Sequence, residues 1–277
     1  MRVLIVIVLA AAMVLEAAPR KVLVHGHRGA RAVFPENTLP AFEHAIAAGA
    51  DVLELDLAVT KDNVLVVTHD PVINSTLCKG PRENPPIREL TLEQVRQYDC
   101  GSIRHPAYPK QRTVPGATIP TLDEVLALAD KGTFDFNIET KIFRHAPEYT
   151  PPPEEFVKLL LEAVKKRNLQ KRVILQSFDF RTLHAMRKLG PGIRLAALYE
   201  GQPKDFADIA EEAHARIVAP QFRLVSKERV EQAHAAGLQI IPWTANNPED
   251  WELLLAAGVD AIITDDPAAL IEWLKTH

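Results

Sequence analysis

Glu54 and Asp56 stand two residues apart in the run Asp51-Val52-Leu53-Glu54-Leu55-Asp56. On a β-strand, residues i and i+2 share a face. Both carboxylates therefore point one way, while Leu53, Leu55 and Leu57 point the other. Paired carboxylates in a confined site repel and are costly to desolvate, and a cation relieves both problems. Glu139 ends a second strand-like run, Phe134-Asp135-Phe136-Asn137-Ile138-Glu139. Three carboxylates with no cysteine near them suit one hard divalent ion, Ca²⁺ or Mg²⁺. On spacing alone, a solvated or salt-bridged set of acids stays open. His27 and His69 each close an apolar run, and two histidines at one place can serve as general base and general acid near neutral pH. Arg28 beside His27, and Lys141 two past Glu139, can neutralise a bound anion. His25 shares the parity of His27 and is read as packing. His145 falls in a loop at the same rim, and His44, His184, His214 and His234 fall on solvated helix faces.

These residues need a scaffold that gathers strand ends. Nine β-rich runs can be marked, at 22–27, 51–56, 64–69, 134–139, 173–177, 195–199, 217–221, 239–243 and 261–264. Between most of them lie helical patterns, among them 36–48, 121–131, 154–167, 180–189 and 248–257. Strands alternating with helices imply a parallel sheet. The 277 residues are close to the roughly 250 of a (β/α)8 TIM barrel. Nine strands are one too many. The link between the second and third is only Thr60-Lys61-Asp62-Asn63, and a parallel crossover needs a dozen residues or more. The pair is therefore an antiparallel hairpin, whose return brings His69 level with about Leu55. Eight parallel strands remain, and barrel enzymes keep their chemistry at the C-terminal rim. Segment 71–120 is rich in proline and reads as an insertion over that rim, with a short helix at 91–98.

The rest of the chain bounds the function. It is 47% hydrophobic and 25% charged, with a formal net charge of −4. No basic footprint points to nucleic acid, and an anionic substrate needs a local positive site. Arg2, the apolar run 3–15 and the small residues after it read as a signal peptide over 1–17, with an uncleaved anchor as the alternative. The single barrel domain then spans 18–277, exported to the periplasm or secreted, with no stable membrane insertion after cleavage. Cys78 and Cys100 fit neither a redox CxxC nor a zinc site. In an oxidising compartment they can form one disulfide pinning the insertion, and two free thiols are the alternative. The serine-hydrolase elbow, HExxH, P-loop and dinucleotide-binding glycine motifs are absent.

The same residues resemble the glycerophosphodiester phosphodiesterase family of phospholipase C-like barrels. The matching segments run in family order. They are His27-Arg28-Gly29-Ala30, Pro35-Glu36-Asn37-Thr38, Gly49-Ala50-Asp51 leading to Glu54 and Asp56, and Val66-Val67-Thr68-His69-Asp70. Later come Ile119-Pro120-Thr121-Leu122, Glu139 with Lys141, Gln176-Ser177-Phe178, Trp243-Thr244, Gly258-Val259-Asp260 and Ile262-Ile263-Thr264-Asp265-Asp266-Pro267. The resemblance implies that His27 and His69 are the acid/base pair and that Glu54, Asp56 and Glu139 hold the metal. It also implies that Arg28 and Lys141 contact phosphate and that Trp243 lines the glycerol side. Read without it, Asn37 is a helix cap, Ser177 is core and Trp243 is barrel filler. The implied reaction hydrolyses glycerophosphodiesters to glycerol 3-phosphate and an alcohol. The nucleophile is water or the substrate's own glycerol 2-hydroxyl, and the resemblance favours the second, through a cyclic phosphate. No serine or cysteine stands beside these histidines, so no covalent enzyme intermediate is expected. A basic residue common in the family soon after the His-Asp pair is missing from Pro71-Val72-Ile73-Asn74-Ser75-Thr76, which leaves the alcohol group open. The competing readings are a lysophospholipase D-like or sphingomyelinase-like phosphodiesterase and a non-catalytic binding barrel. The last should have lost one of the five site residues, and all five are present.

Overall fold

The strands follow the period-2 pattern of their apolar residues. They are β1 (Leu23–Gly26), β2 (Val52–Val59), β3 (Leu65–Val67), β4 (Asp135–Thr140), β5 (Val173–Ser177), β6 (Arg194–Tyr199), β7 (Ile217–Pro220), β8 (Gln239–Ile240) and β9 (Ala261–Thr264). This computed structural model describes residues 21–277, so the expected signal peptide lies outside the described residues. The sheet order is β8-β7-β6-β5-β4-β2-β1-β9, parallel throughout. The two end strands meet. Asp260 N donates to Ile240 O, Ile263 N to Pro242 O and Ala245 N to Ile263 O, at 3.0–3.1 Å. β8 is short because Pro242 follows Ile241 and has no N–H for the ladder. The result is an eight-stranded TIM barrel. β3 pairs antiparallel with β2 in the register Leu57↔Val67, Ala58↔Val66, Val59↔Leu65, and Thr68 N continues it to Asp56 O at 3.0 Å.

The helices are α1 (Leu39–Ala48), α2 (Leu92–Val95), α3 (Leu122–Leu126), α4 (Pro153–Lys166), α5 (Phe180–Leu189), α6 (Phe206–Ala213), α7 (Lys227–Ala235), α8 (Pro248–Ala257) and α9 (Pro267–Leu274). Leu53, Leu55 and Leu57, Phe136 and Ile138, Val173 and Leu175 face outward into one buried core with Phe42, Phe156 and Leu160. Asp179, Ser226, Asn247 and Asp266 cap α5, α7, α8 and α9 by accepting backbone N–H bonds. Among the described residues no helix is long and apolar enough to cross a membrane.

Several boundaries differ from the sequence reading. The helix expected from residue 36 begins at Leu39. Asn37 has φ +55°, outside the helical well, so Thr38 takes the cap position. The helix expected at 121–131 is α3 followed by a 3₁₀ turn, Ala127–Lys131, that ends at Gly132. The one at 91–98 is only the four-residue α2, held by a Thr91–Gln94 capping box. His234 is not a solvated-face residue. It is half-buried and bonded to Asp260 at 2.9 Å.

Segment 71–120 has its own small core of Ile73, Ile87, Leu90, Val95, Tyr98 and Ile119, packed on Ala58 and Val66 of the β2–β3 pair. Cys78 and Cys100 are joined by a disulfide. Gln111 fastens the segment to the loop after β1. Its buried amide donates to Arg31 O at 2.7 Å and Phe34 O at 3.0 Å, and its carbonyl accepts from His105 N at 2.9 Å.

Candidate active site

The chain leaves β1 in the left-handed region, with φ +49° at Arg28 and +82° at Gly29. A side chain at Gly29 would lie 2.7–2.8 Å from the backbone of Ala41 and Phe42, so only glycine lets this loop sit on α1. The turn aims Arg28 N at Glu54 Oε2, 2.8 Å away. It also folds the Arg28 guanidinium over the acids, 2.7 Å from Glu36 and 3.3 Å from Asp56.

Glu54, Asp56 and Glu139 are all buried, and one oxygen from each lies within 4.8 Å of the others. The ladder puts Asp56 directly beside Glu139. Burial, and then the Asp56 charge, push Glu54 well above the usual carboxylate range. Burial also raises Glu139, with Lys141 opposing and Asp56 adding to the rise. Asp56 goes the other way. Burial disfavours its charge, but Lys141, Arg28 and the two histidines hold it well below its ordinary value. Lys141 sits 3.0 Å from Glu139 and 3.4 Å from Asp56.

A divalent ion fits this donor set. Oxygens 2.3–2.6 Å from one Ca²⁺ can stand up to about 5 Å apart, and Asp56 Oδ1 is buried without a hydrogen bond. The remaining lone pairs are steered by neighbours. Asn37 Nδ2 donates to Asp56 Oδ2 at 2.9 Å, and Gln176 Nε2 to Glu54 Oε1 at 2.8 Å. Asn37 is therefore an orienting partner of an acid, not the helix cap its position suggests.

Each histidine is held at Nδ1 by a carboxylate. His27 Nδ1 lies 2.5 Å from Asp265 Oδ1, and His69 Nδ1 lies 2.8 Å from Asp70 Oδ1. An ionised carboxylate at Nδ1 fixes the proton there and leaves Nε2 for chemistry. His27 Nε2 is 3.9 Å from Glu54 Oε2. Burial lowers the His27 pKa, although Asp265 partly offsets it, so the ring is neutral near pH 7. Asp265 is itself ionised. Burial opposes the charge, but His27, Arg31 and the Tyr108 hydroxyl outweigh it. The side chain of His27 is 14% exposed and that of His69 33%.

His27, Arg28, Glu54, Asp56, His69, Glu139, Lys141 and Trp243 line one cavity of about 400 Å³ with Gln176, Phe178, Leu198 and Glu200. Trp243 donates its indole N–H to Ala219 O at 2.8 Å and meets Phe178 edge to face, with ring centroids 5.5 Å apart. It is a wall of the mouth. His25 lies deeper on the same side. Burial and Arg194 lower its pKa to about 3, and it packs neutral beside Asn137. His145 is exposed outside the cavity, and Ser177 is buried, donating to Thr140 O.

Sequence reasoning gave no role to Asp265, Gln176, Glu36 or Tyr108. Asp265 was within reach, since it follows the inward residues Ala261 and Ile263 at the same parity. Glu36 stands at the first position of the expected helix, where no strand parity aims it at the barrel mouth, and Tyr108 lies in an aperiodic segment.

A parallel barrel with buried acids and two oriented histidines at its C-terminal mouth has the layout of a barrel hydrolase. Comparison with known proteins gives the group more narrowly. Residues 27–269 match the model of the glycerophosphoryl diester phosphodiesterase family. A glycerophosphodiester phosphodiesterase of Caldanaerobacter subterraneus is 34% identical over 255 residues, covering 92% of this chain and 98% of its own. One of Bacillus altitudinis is 36% identical over 253 residues, covering 88% and 94%. A crystal structure of a Silicibacter pomeroyi protein assigned to the glycerophosphoryl diester phosphodiesterases superposes with a TM-score of 0.86 at 30% identity, over 94% of this chain and 95% of that one. The chain belongs to the glycerophosphoryl diester phosphodiesterase family.

Proposed function

We propose that the protein hydrolyses glycerophosphodiesters to glycerol 3-phosphate and an alcohol by acid–base catalysis between His27 and His69. The observation that carries this reading is the pair of histidines, each held at Nδ1 by a carboxylate, lining the cavity that also holds the three acids. Glu54, Asp56 and Glu139 are the residues that would hold Ca²⁺ or Mg²⁺, which when bound would draw electron density from a phosphoryl oxygen. Arg28 and Lys141 add positive charge around the phosphate. One histidine takes the proton of the attacking hydroxyl, and the other gives a proton to the departing alcohol oxygen. The attacking group is the substrate's own glycerol 2-hydroxyl, held close to phosphorus, so a cyclic phosphate forms and water then opens it. Trp243 and Phe178 pack against the carbon chain of the glycerol. The leader at 1–17 directs export, after which the barrel works in the periplasm or outside the cell, where the Cys78–Cys100 disulfide persists.

The test is turnover of glycerophosphocholine and of its analogue with hydrogen in place of the 2-hydroxyl. The expected result is release of choline and glycerol 3-phosphate from the first alone. Equal cleavage of both would replace the cyclic route by direct attack of water. No cleavage of any glycerophosphodiester in the presence of Ca²⁺ or Mg²⁺ would overturn the reading.

A further inference from the structure

Tyr108 belongs to the segment 71–120, not to the barrel, and it does not line the mouth cavity. Its hydroxyl nevertheless donates to Asp265 Oδ2 at 2.6 Å. Asn246 Nδ2 donates to the same oxygen at 2.7 Å. The other oxygen, Oδ1, is left for His27 Nδ1. A carboxylate with one oxygen claimed by two donors cannot rotate about its terminal bond without breaking both. Asp265 is thereby set in the plane that serves His27.

The segment is built to keep Tyr108 in place. The Arg31 guanidinium lies 5.3 Å from the centre of its ring, and the His105 ring is 4.9 Å away. Three residues further on, Gln111 ties the backbone to the loop after β1 through Arg31 O and Phe34 O. Burial and the Asp265 charge push the Tyr108 hydroxyl above its ordinary range, so it stays a donor. Among the described residues the hydroxyl bonds to Asp265, and the ring contacts with Arg31 and His105 would survive its loss.

We propose that Tyr108 is a positioning residue that acts through Asp265 to fix the imidazole of His27, so that the surface segment takes part in catalysis without lining the cavity. The inference rests on the reading of His27 as an acid/base group.

The test uses Tyr108→Phe, which removes one oxygen and keeps the ring. The first readout is the His27 Nδ1–H resonance of ¹⁵N-histidine-labelled protein, assigned by its loss in His27→Ala. In Tyr108→Phe this signal should shift upfield or broaden while Tm stays close to that of the parent. An unchanged resonance would overturn the proposal, whatever the protein hydrolyses. The second readout is turnover of glycerophosphocholine. kcat should fall about tenfold, the scale of one hydrogen bond to a charged group, with KM held within about twofold. In an Asp265→Ala background the same change should have no further effect, because its route is gone. An equal further loss there would show that Tyr108 acts by another path and would also overturn the proposal. Parent protein inactive on every glycerophosphodiester would remove the hydrolase reading, and the resonance would still decide the role of Tyr108.

Discussion

The two halves of the barrel interior share one backbone geometry and differ in nearly every side chain. β1, β2, β4 and β5 send His25, His27, Glu54, Asp56, Asn137, Glu139 and Gln176 inward. β6 to β9 and their extensions send Ala196, Leu198, Ile217, Ala219, Ile241, Trp243, Ala261 and Ile263; of these, Ala196, Ile217, Ile241, Ala261 and Ile263 form one apolar cluster with Ile174, and Trp243 packs against it. Acids occur on this side too: Glu200 lines the mouth beyond β6, and Asp265, at the end of β9, serves His27 across the β1–β9 seam. The polar half holds charges that repel and are paired only in part. The apolar half is lined mainly by aliphatic side chains packed on one another. The titratable groups gather on the first and the apolar wall on the second.

If that division is right, the largest effect comes from the polar half. Exhaustive chelation should lower turnover by at least about 10³-fold, the order of several kcal/mol of transition-state stabilisation. Readdition of Ca²⁺ or Mg²⁺ should restore it, and full activity in excess chelator would dissolve the comparison. His27→Ala and His69→Ala should each lose at least about 10²-fold in kcat, with circular dichroism and Tm near the parent values. A near-parent rate in either variant would move that histidine to the structural side.

A third prediction reverses the usual sign. Glu54 is buried with a raised pKa, so in the metal-free protein its ionised form opposes folding. Stability from this group is fully present below the ordinary carboxylate pKa of the unfolded chain and is lost as pH rises through the raised folded value. Glu54→Gln should therefore raise Tm of the metal-free protein at pH 8, by a few degrees for about 1 kcal/mol, while activity is lost. A lower Tm at pH 8 would mean that the acids do not strain this half.

The smallest effect lies where the halves join, after β5. Asp179 caps α5 and accepts from Arg144 and Arg181. Burial opposes its charge, yet these bonds hold its pKa down to about 2. A depressed folded value gives stability that is present above the ordinary carboxylate pKa and lost as pH falls toward 2. Asp179→Ala should cost about 1 kcal/mol at pH 7, and the gap in Tm should narrow below pH 4. A pH-independent gap would assign the loss to packing.

The sequence exposed most of the polar half because strands repeat every two residues. Glu54, Asp56 and Glu139 could be placed on inward faces, and His69 could be placed by the four-residue link that forbids a crossover. The β3 register carries His69 to the level of Leu55. What stayed hidden depends on backbone angles and on segments without a period. Asn37 reads as a cap until its positive φ swings the amide onto Asp56. Glu36 sits before α1 with no strand to orient it, yet it bridges Arg28 and Arg31. Tyr108 and Gln111 lie among prolines, where local chemistry says turn and nothing says which part of the barrel the turn will meet.

The pairing of β1 with β9 has a consequence for the order of synthesis. His27 and Asp265 are 238 residues apart, so a ribosome makes the imidazole long before its partner. Until β9 is made and closes against β1, a nascent chain holds His27 without the carboxylate that orients it. The His27–Asp265 pair therefore assembles late in translation, and a fragment that ends before β9 has both histidines and all three acids but no carboxylate at His27 Nδ1.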